Sequence, residues 1–173
     1  PDYRWGNFWS AGAAWIMSKE SWYDIPWMNE FKVKASIGSQ GNDSIGSYRY
    51  TDIFSIVPSD GKISTIFSSK GNKDITWETN TNFNAGIEFA FLNSRINGSF
   101  EVYHNTTNDL LIRFPVAGSG YDYQYRNLGS VQNRGFEASV NFVVLEKKNF
   151  GLTFGANISI NDNKVTSLGG LSR

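Results

Sequence analysis

Apolar side chains recur at every second position through several stretches of the chain, the period of an extended strand with one oily face. Phe83, Ala85, Ile87, Phe89 and Phe91 alternate with Asn84, Gly86, Glu88 and Ala90. The sharpest run sets Phe150, Leu152, Phe154, Ala156, Ile158 and Ile160 against Gly151, Thr153, Gly155, Asn157, Ser159 and Asn161. Phe136 to Val144, Ile96 to Tyr103 and Phe31 to Ile37 repeat the pattern, and Trp5 to Ile16 is extended in composition with less distinct faces. The reading is about six strands, over 5–17, 31–38, 81–92, 95–104, 134–145 and 149–161.

The connections alternate in length. Phe91 reaches Ile96 through Leu92-Asn93-Ser94-Arg95, and Val144 reaches Phe150 through Leu145-Glu146-Lys147-Lys148-Asn149, both short enough for hairpins. By contrast 39–80 and 105–133 are long, rich in Gly, Asn, Ser and Tyr, and are expected as loops. A meander of this kind sorts its long loops to one end and its tight turns to the other, the asymmetry of outer-membrane barrels. Ten residues rising ~3.3 Å each at a tilt of about 45° cover roughly 23 Å, close to the ~25 Å apolar band of such barrels. Soluble strands are mostly ~5–6 residues. The expected fold class is therefore all-β, an antiparallel up-and-down meander forming a section of a transmembrane β-barrel. A helical span is not expected, because the longest apolar run, Ala13 to Met17, falls far short of the ~20 residues required.

Composition narrows the function. Sixteen basic and sixteen acidic residues leave no net charge in 173 residues, so there is no basic field for a nucleic-acid backbone. The absence of Cys and the single histidine, His104, remove thiol nucleophiles, Cys-ligated zinc and multi-imidazole metal centres. No glycine-rich phosphate loop or nucleophile elbow is present. Asn161-Asp162-Asn163 lacks the Gly and Glu spacing of an EF-hand and reads as a strand end. Glu88, Glu101 and Glu137 share the polar parity of their strands and are expected to face a watery lumen as solvating groups rather than as catalysts. No catalytic, metal or cofactor-binding residue is assigned, and the chain is expected not to be an enzyme.

Two segments carry aromatic side chains outside the alternation. Ser18 to Glu30, with Trp22, Tyr23, Trp27 and Pro26, reads as a one-turn helix capped by Ser18, either an aromatic plug at a membrane interface or an ordinary turn with a small cluster. Tyr121, Tyr123 and Tyr125 stand at alternate positions, so an extended backbone presents three rings on one side, with Arg113 and Arg126 nearby. That arrangement is either a stacking platform for a polar ligand or packing of the loop against its neighbours. Asn127-Leu128-Gly129 and Asn133-Arg134-Gly135 read as turn geometry.

In order along the chain stand Phe8-Trp9-Ser10-Ala11-Gly12-Ala13-Ala14-Trp15, Phe31-Lys32-Val33-Lys34-Ala35-Ser36-Ile37-Gly38-Ser39-Gln40-Gly41-Asn42 and Trp77-Glu78-Thr79-Asn80. Asn84-Ala85-Gly86-Ile87-Glu88-Phe89, Leu92-Asn93-Ser94-Arg95 and Thr106-Thr107-Asn108-Asp109-Leu110-Leu111 follow, then Asn127-Leu128-Gly129-Ser130-Val131-Gln132-Asn133-Arg134-Gly135-Phe136-Glu137 and Asn157-Ile158-Ser159-Ile160-Asn161. With these blocks the chain resembles the C-terminal half of the β-barrel in the SusC/RagA family of TonB-linked outer-membrane transporters. The resemblance implies a barrel of about 22 strands in the bacterial outer membrane that imports glycans, peptides or other large nutrients. It further implies four partners: outer-membrane lipid, the remaining barrel and plug portions, a SusD-like surface lipoprotein over the mouth, and TonB acting through a region not in this chain. Under it, the tyrosine loop either grips ligand or seats the lipoprotein. The chain starts at Pro1-Asp2 without an initiator Met and runs to Gly169-Gly170-Leu171-Ser172-Arg173 with no plug domain or TonB box, so a partial barrel is expected. The alternative is a soluble two-layer β-sandwich, such as a glycan-binding module, with its oily faces sealed against each other.

Overall fold

The computed structural model describes residues 5–59, 61–118 and 120–169. Among these residues ten strands form two sheets. They are β1 Trp9–Ile16, β2 Met28–Asn42, β3 Ile53–Ser59, β4 Lys62–Lys70, β5 Glu78–Phe91, β6 Ile96–Asn108, β7 Leu111–Pro115, β8 Tyr123–Asn127, β9 Ser130–Lys147 and β10 Phe150–Ser167. Six of them make one sheet in the order β1-β2-β5-β6-β9-β10, with every neighbouring pair antiparallel. The other four make a smaller sheet, β3-β4-β8-β7, built wholly from the two long connections of the first.

Cross-strand register turns the alternation into rows. Val33, Ile87, Phe100, Ala138 and Ile158 lie side by side from β2 to β10, and the next row is Ala35, Ala85, Val102, Phe136 and Ile160. On the other parity stand Lys34, Gly86, Glu101, Glu137 and Ser159, and two rows further Gly38, Asn82, Asn105, Asn133 and Asn163. One face is thus apolar and the other polar across five strands. Because the side-chain period is two, a slip of one residue in any strand would exchange its faces, so the agreement of all five fixes the register.

Among the described residues nothing covers the apolar face. Phe154, Ile158 and Ile160 are 60, 54 and 51% exposed, and Phe83 and Phe100 about two-fifths exposed. Among the described residues only Ile75 and Ala90 are buried hydrophobics. The extensive element contacts all lie within a sheet or between β2 and the adjoining 3₁₀ turn, so the small sheet does not stack on the large one. This overturns the β-sandwich alternative: its apolar rows would be sealed between two layers, whereas here they form an open surface.

Several expectations are corrected. β1 is shorter than expected, Trp9–Ile16 within 5–17, whereas the other strands of the large sheet outrun the alternating segments, β9 and β10 reaching eighteen residues each, because their polar ends carry no oily parity to mark them. The stretches 39–80 and 105–133, expected as loops, contain β3, β4, β7 and β8 as well as the ends of the large-sheet strands. The antiparallel rule has one exception, a two-residue parallel pairing of Ser69 with Tyr123 and Lys70 with Gln124 that joins the two loop hairpins. Ser18 caps nothing: the helical turn is a 3₁₀ segment, Met17–Lys19, with Ile16 at its N-cap and no side-chain cap.

The two ends of the large sheet differ as the connection lengths require. At one end, β5 and β6 join through Leu92, Asn93, Ser94 and Arg95, the first three at positive φ (52, 57 and 61°), and β9 joins β10 through Lys148 and Asn149. The connection between β1 and β2 lies at this same end and gathers aromatic rings. Trp22 meets Trp15 at 6.0 Å and Tyr23 at 6.0 Å, and Trp27 meets Phe91 at 5.4 Å, each edge to face. The small sheet stands at the opposite end.

Candidate functional site

Side-chain amides tie β8 to the connections around it, and the Glu78 carboxylate of β5 accepts from the Leu111 N–H of β7 at 3.2 Å. Asn127 accepts from the backbone N–H of Thr76 at 2.9 Å and donates through Nδ2 to the carbonyls of Thr76 and Asp109 at 2.9 and 3.0 Å. Asn72 donates to the Tyr125 carbonyl at 2.9 Å, and Gln124 donates to the Gly71 carbonyl at 2.7 Å. Connections this long have many backbone groups to satisfy, and the short, double-headed Asn side chain is suited to clipping two segments together. Asn127 is therefore a structural clasp between 72–76 and β8.

Strand β8 sends Tyr123 and Tyr125 to one face, their rings 5.6 Å apart at 89°. The paired strand β7 sends Arg113 to that same face, its guanidinium 3.7 Å from the Tyr123 ring centre. Arg49, from the connection between β2 and β3, completes the group. Its guanidinium lies 5.2 Å from the Tyr125 ring, donates to the Tyr123 hydroxyl at 3.4 Å, and is steadied by Nε donating to the Ile45 carbonyl at 2.8 Å. Arginines over aromatic faces keep their planar donor forks while the rings offset part of the charge.

Two of the five expected residues stand apart from this group. Arg126 is on the opposite face of β8, 4.5 Å over Phe114 and donating to Gln124 at 2.7 Å, because neighbouring residues of a strand point to opposite sides. Tyr121 precedes β8, lies 4.7 Å from Phe67, and donates its hydroxyl to Asp52 at 2.7 Å. The expected three-ring platform is therefore a two-ring, two-arginine cluster of Tyr123, Tyr125, Arg113 and Arg49. Arg49 was missed from the sequence, although the triplet Tyr48-Arg49-Tyr50 carries the same interleaving of Arg with Tyr as Tyr125-Arg126. Beside it Asp43, Tyr48, Arg49, Trp77 and Leu111 line a cavity of about 210 Å³, room for a side chain or one sugar ring.

Asp52 ties the far hairpin. It accepts from the Gly71 N–H at 2.8 Å as well as from Tyr121. The Gly71 N–H, then the Tyr121 hydroxyl, hold its carboxyl below the usual carboxylate range, and the same bond raises the Tyr121 phenol.

On the polar face of the large sheet, Lys32 pairs with Glu88 at 3.0 Å, and Lys34 bridges Glu88 and Glu101. Ser159 donates to Glu137 at 3.4 Å. These carboxylates are partnered with cations and a hydroxyl on a half-exposed wall. Among the described residues no group of His, Asp and Glu is placed to hold a metal ion.

The family model described as TonB dependent receptor-like, beta-barrel, matches residues 1–172. The TonB-dependent receptor SusC of Bacteroides thetaiotaomicron is 32% identical over 98% of this chain and 18% of its own length. The TonB-dependent receptor P3 of Formosa agariphila is 29% identical over 95% of this chain and 17% of its own. Among solved structures, the RagAB peptide importer in its closed-closed state superposes with a TM-score of 0.85 at 29% identity, over 95% of this chain and 18% of that one. The chain thus spans under a fifth of the length of the relatives it matches.

Proposed function

Since the chain belongs to the TonB-dependent receptor β-barrel family, transporters and not enzymes of the bacterial outer membrane, we propose that it forms part of the wall of a nutrient importer. In this reading the apolar rows meet lipid, the polar rows line the lumen, and the small sheet stands at the outer mouth. The cargo is a glycan, a peptide or another large nutrient. A SusD-like surface lipoprotein covers the mouth, the plug and the remaining strands complete the transporter, and TonB supplies energy through a region not in this chain. The Arg49, Arg113, Tyr123 and Tyr125 cluster is the proposed contact for cargo or lipoprotein.

The observation that carries the reading is the in-register pair of faces, one apolar and uncovered, one polar, across strands long enough to cross a bilayer. The likeness to a peptide importer and to SusC supports the transport class. The test is uptake by cells whose full-length gene is intact, deleted, or present without a working TonB. Loss of growth on one nutrient class in both mutants, with a surface lipoprotein co-purifying with the transporter, is expected. Uptake that persists without TonB would overturn the proposal.

A further inference from the structure

The oily rows of the outward face stop at a defined line. Val102, Phe136 and Ile160 form the last of them across β6, β9 and β10. One step toward the long-loop end, and on the same parity, His104, Arg134 and Asp162 stand in register, and the next step holds Thr106, Gln132 and Lys164. Arg134 pairs through Nε with Asp162 at 3.0 Å, and both side chains remain more than half exposed. The ring nitrogen Nε2 of His104 and the Gln132 amide are 2.9 Å apart. Below this rim an open depression of about 500 Å³ is floored by Phe83, Val102 and Phe136, with His104 and Arg134 at its edge.

An eighteen-residue strand at ~3.3 Å per residue and a tilt of about 45° covers roughly 42 Å, well beyond the ~25 Å apolar band. The rim therefore sits where hydrocarbon gives way to headgroups. The patch has the form of an amphiphile's complement, a greasy trough continuous with the lipid-facing wall and a polar rim at its outer end. Its fixed charges are two cations, Arg134 and Lys164, against one carboxylate, Asp162. The ion pair engages only Nε of Arg134, so the terminal N–H pair is presented to a further acceptor, and planar forks of this kind match phosphate.

We propose that His104, Arg134 and Lys164 form a binding site for the phosphate-bearing headgroup of an outer-leaflet lipid, whose acyl chain lies along the trough above Phe136. The proposal rests on the reading that this face meets lipid. Asp162 orients Arg134 and, by its charge, weakens the site.

The experiment uses the full-length transporter in nanodiscs of phosphatidylcholine containing a minor share of phosphorylated lipid A, with the lipid A retained per protein measured after washing. Wild type is expected to enrich lipid A over the bulk, and to do so less in high salt. The double variant Arg134→Gln, Lys164→Gln is expected to lose roughly fivefold in enrichment for each cation removed. Asp162→Asn is expected to gain, a direction that damage to the fold does not produce, and it decides the matter alone if the double variant fails to assemble. Equal retention by wild type and double variant, no gain in Asp162→Asn, or full displacement by inorganic phosphate would overturn the headgroup site. Failure of wild type to insert in the nanodisc would instead overturn the transmembrane reading beneath it.

Discussion

Asp52 shows how one exposed carboxylate organises a connection. Its two acceptor bonds, from Gly71 and Tyr121, tie the start of β3 to the end of β4 and to the approach to β8. A carboxyl whose folded pKa is depressed stabilises fully above the usual carboxylate range and loses that contribution as pH falls through the depressed value. The raised phenol of Tyr121 works at the other limit, its contribution being lost as pH rises through the folded value above the usual tyrosine range. Asp52→Asn is expected to speed amide exchange in β3 and β4 at neutral pH, and the difference from wild type should vanish in acid. A difference that persists unchanged in acid would show that the carboxylate charge is not responsible. In the arginine and tyrosine cluster, Arg113→Ala removes the guanidinium over Tyr123, a contact worth about 0.5–2 kcal/mol. Its loss should appear as about twofold to thirtyfold faster amide exchange in β7 and β8 with the long strands unchanged, and unchanged exchange there would contradict the contact. At this scale the sequence located Tyr123, Tyr125 and Arg113 by strand parity and loop position. It could not place Tyr121, which lies before β8 begins, or Arg49, whose approach depends on a contact spanning seventy-four residues.

Strands are legible where solvent differs on their two sides, and the sequence shows them there. The alternation at 81–91 and 150–161 marks the apolar band, since a side chain meeting hydrocarbon must be apolar while its neighbours need not be. Above that band both faces of a strand are polar, so the outer ends of β2, β6, β9 and β10 leave no periodic trace. The small sheet is hidden for a related reason: β3, β7 and β8 are only seven, five and five residues long, and β3 and β7 each contain a Pro. The faces make a sharp prediction. Phe154→Lys or Ile87→Lys, on the outward parity, should destabilise the assembled barrel by about 2–4 kcal/mol near the midplane, whereas Asn157→Lys on the inward parity should be tolerated. Unfolding titrations of the whole protein in lipid vesicles check this, and equal costs on the two faces would contradict it.

Among the described residues the large sheet is a single layer with a bare apolar side and two unpaired margins. β1 is exposed at seven of its eight residues and β10 at all eighteen, because each lacks a neighbour on its outer side. Unpaired backbone groups in hydrocarbon cost several kcal/mol each, so the proposed barrel needs further strands against both margins. The aromatic rings of Trp15, Trp22, Tyr23 and Trp27 collect at the tight-turn end, the level at which such rings favour a membrane interface. Residues 1–173 expressed alone should consequently aggregate or demand detergent, as contiguous apolar patches beyond a few hundred Å² do. The most direct measurement places a spin label singly at each position from Phe154 to Asn161 in the full-length protein within a bilayer, and reads collisions with dissolved oxygen and with a water-soluble nickel reagent. The account predicts that labels at 154, 156, 158 and 160 collide with oxygen and are shielded from nickel, with the reverse bias at 155, 157, 159 and 161. Labels shielded from both reagents at 154, 156, 158 and 160 would mean that protein covers this face, and would contradict it.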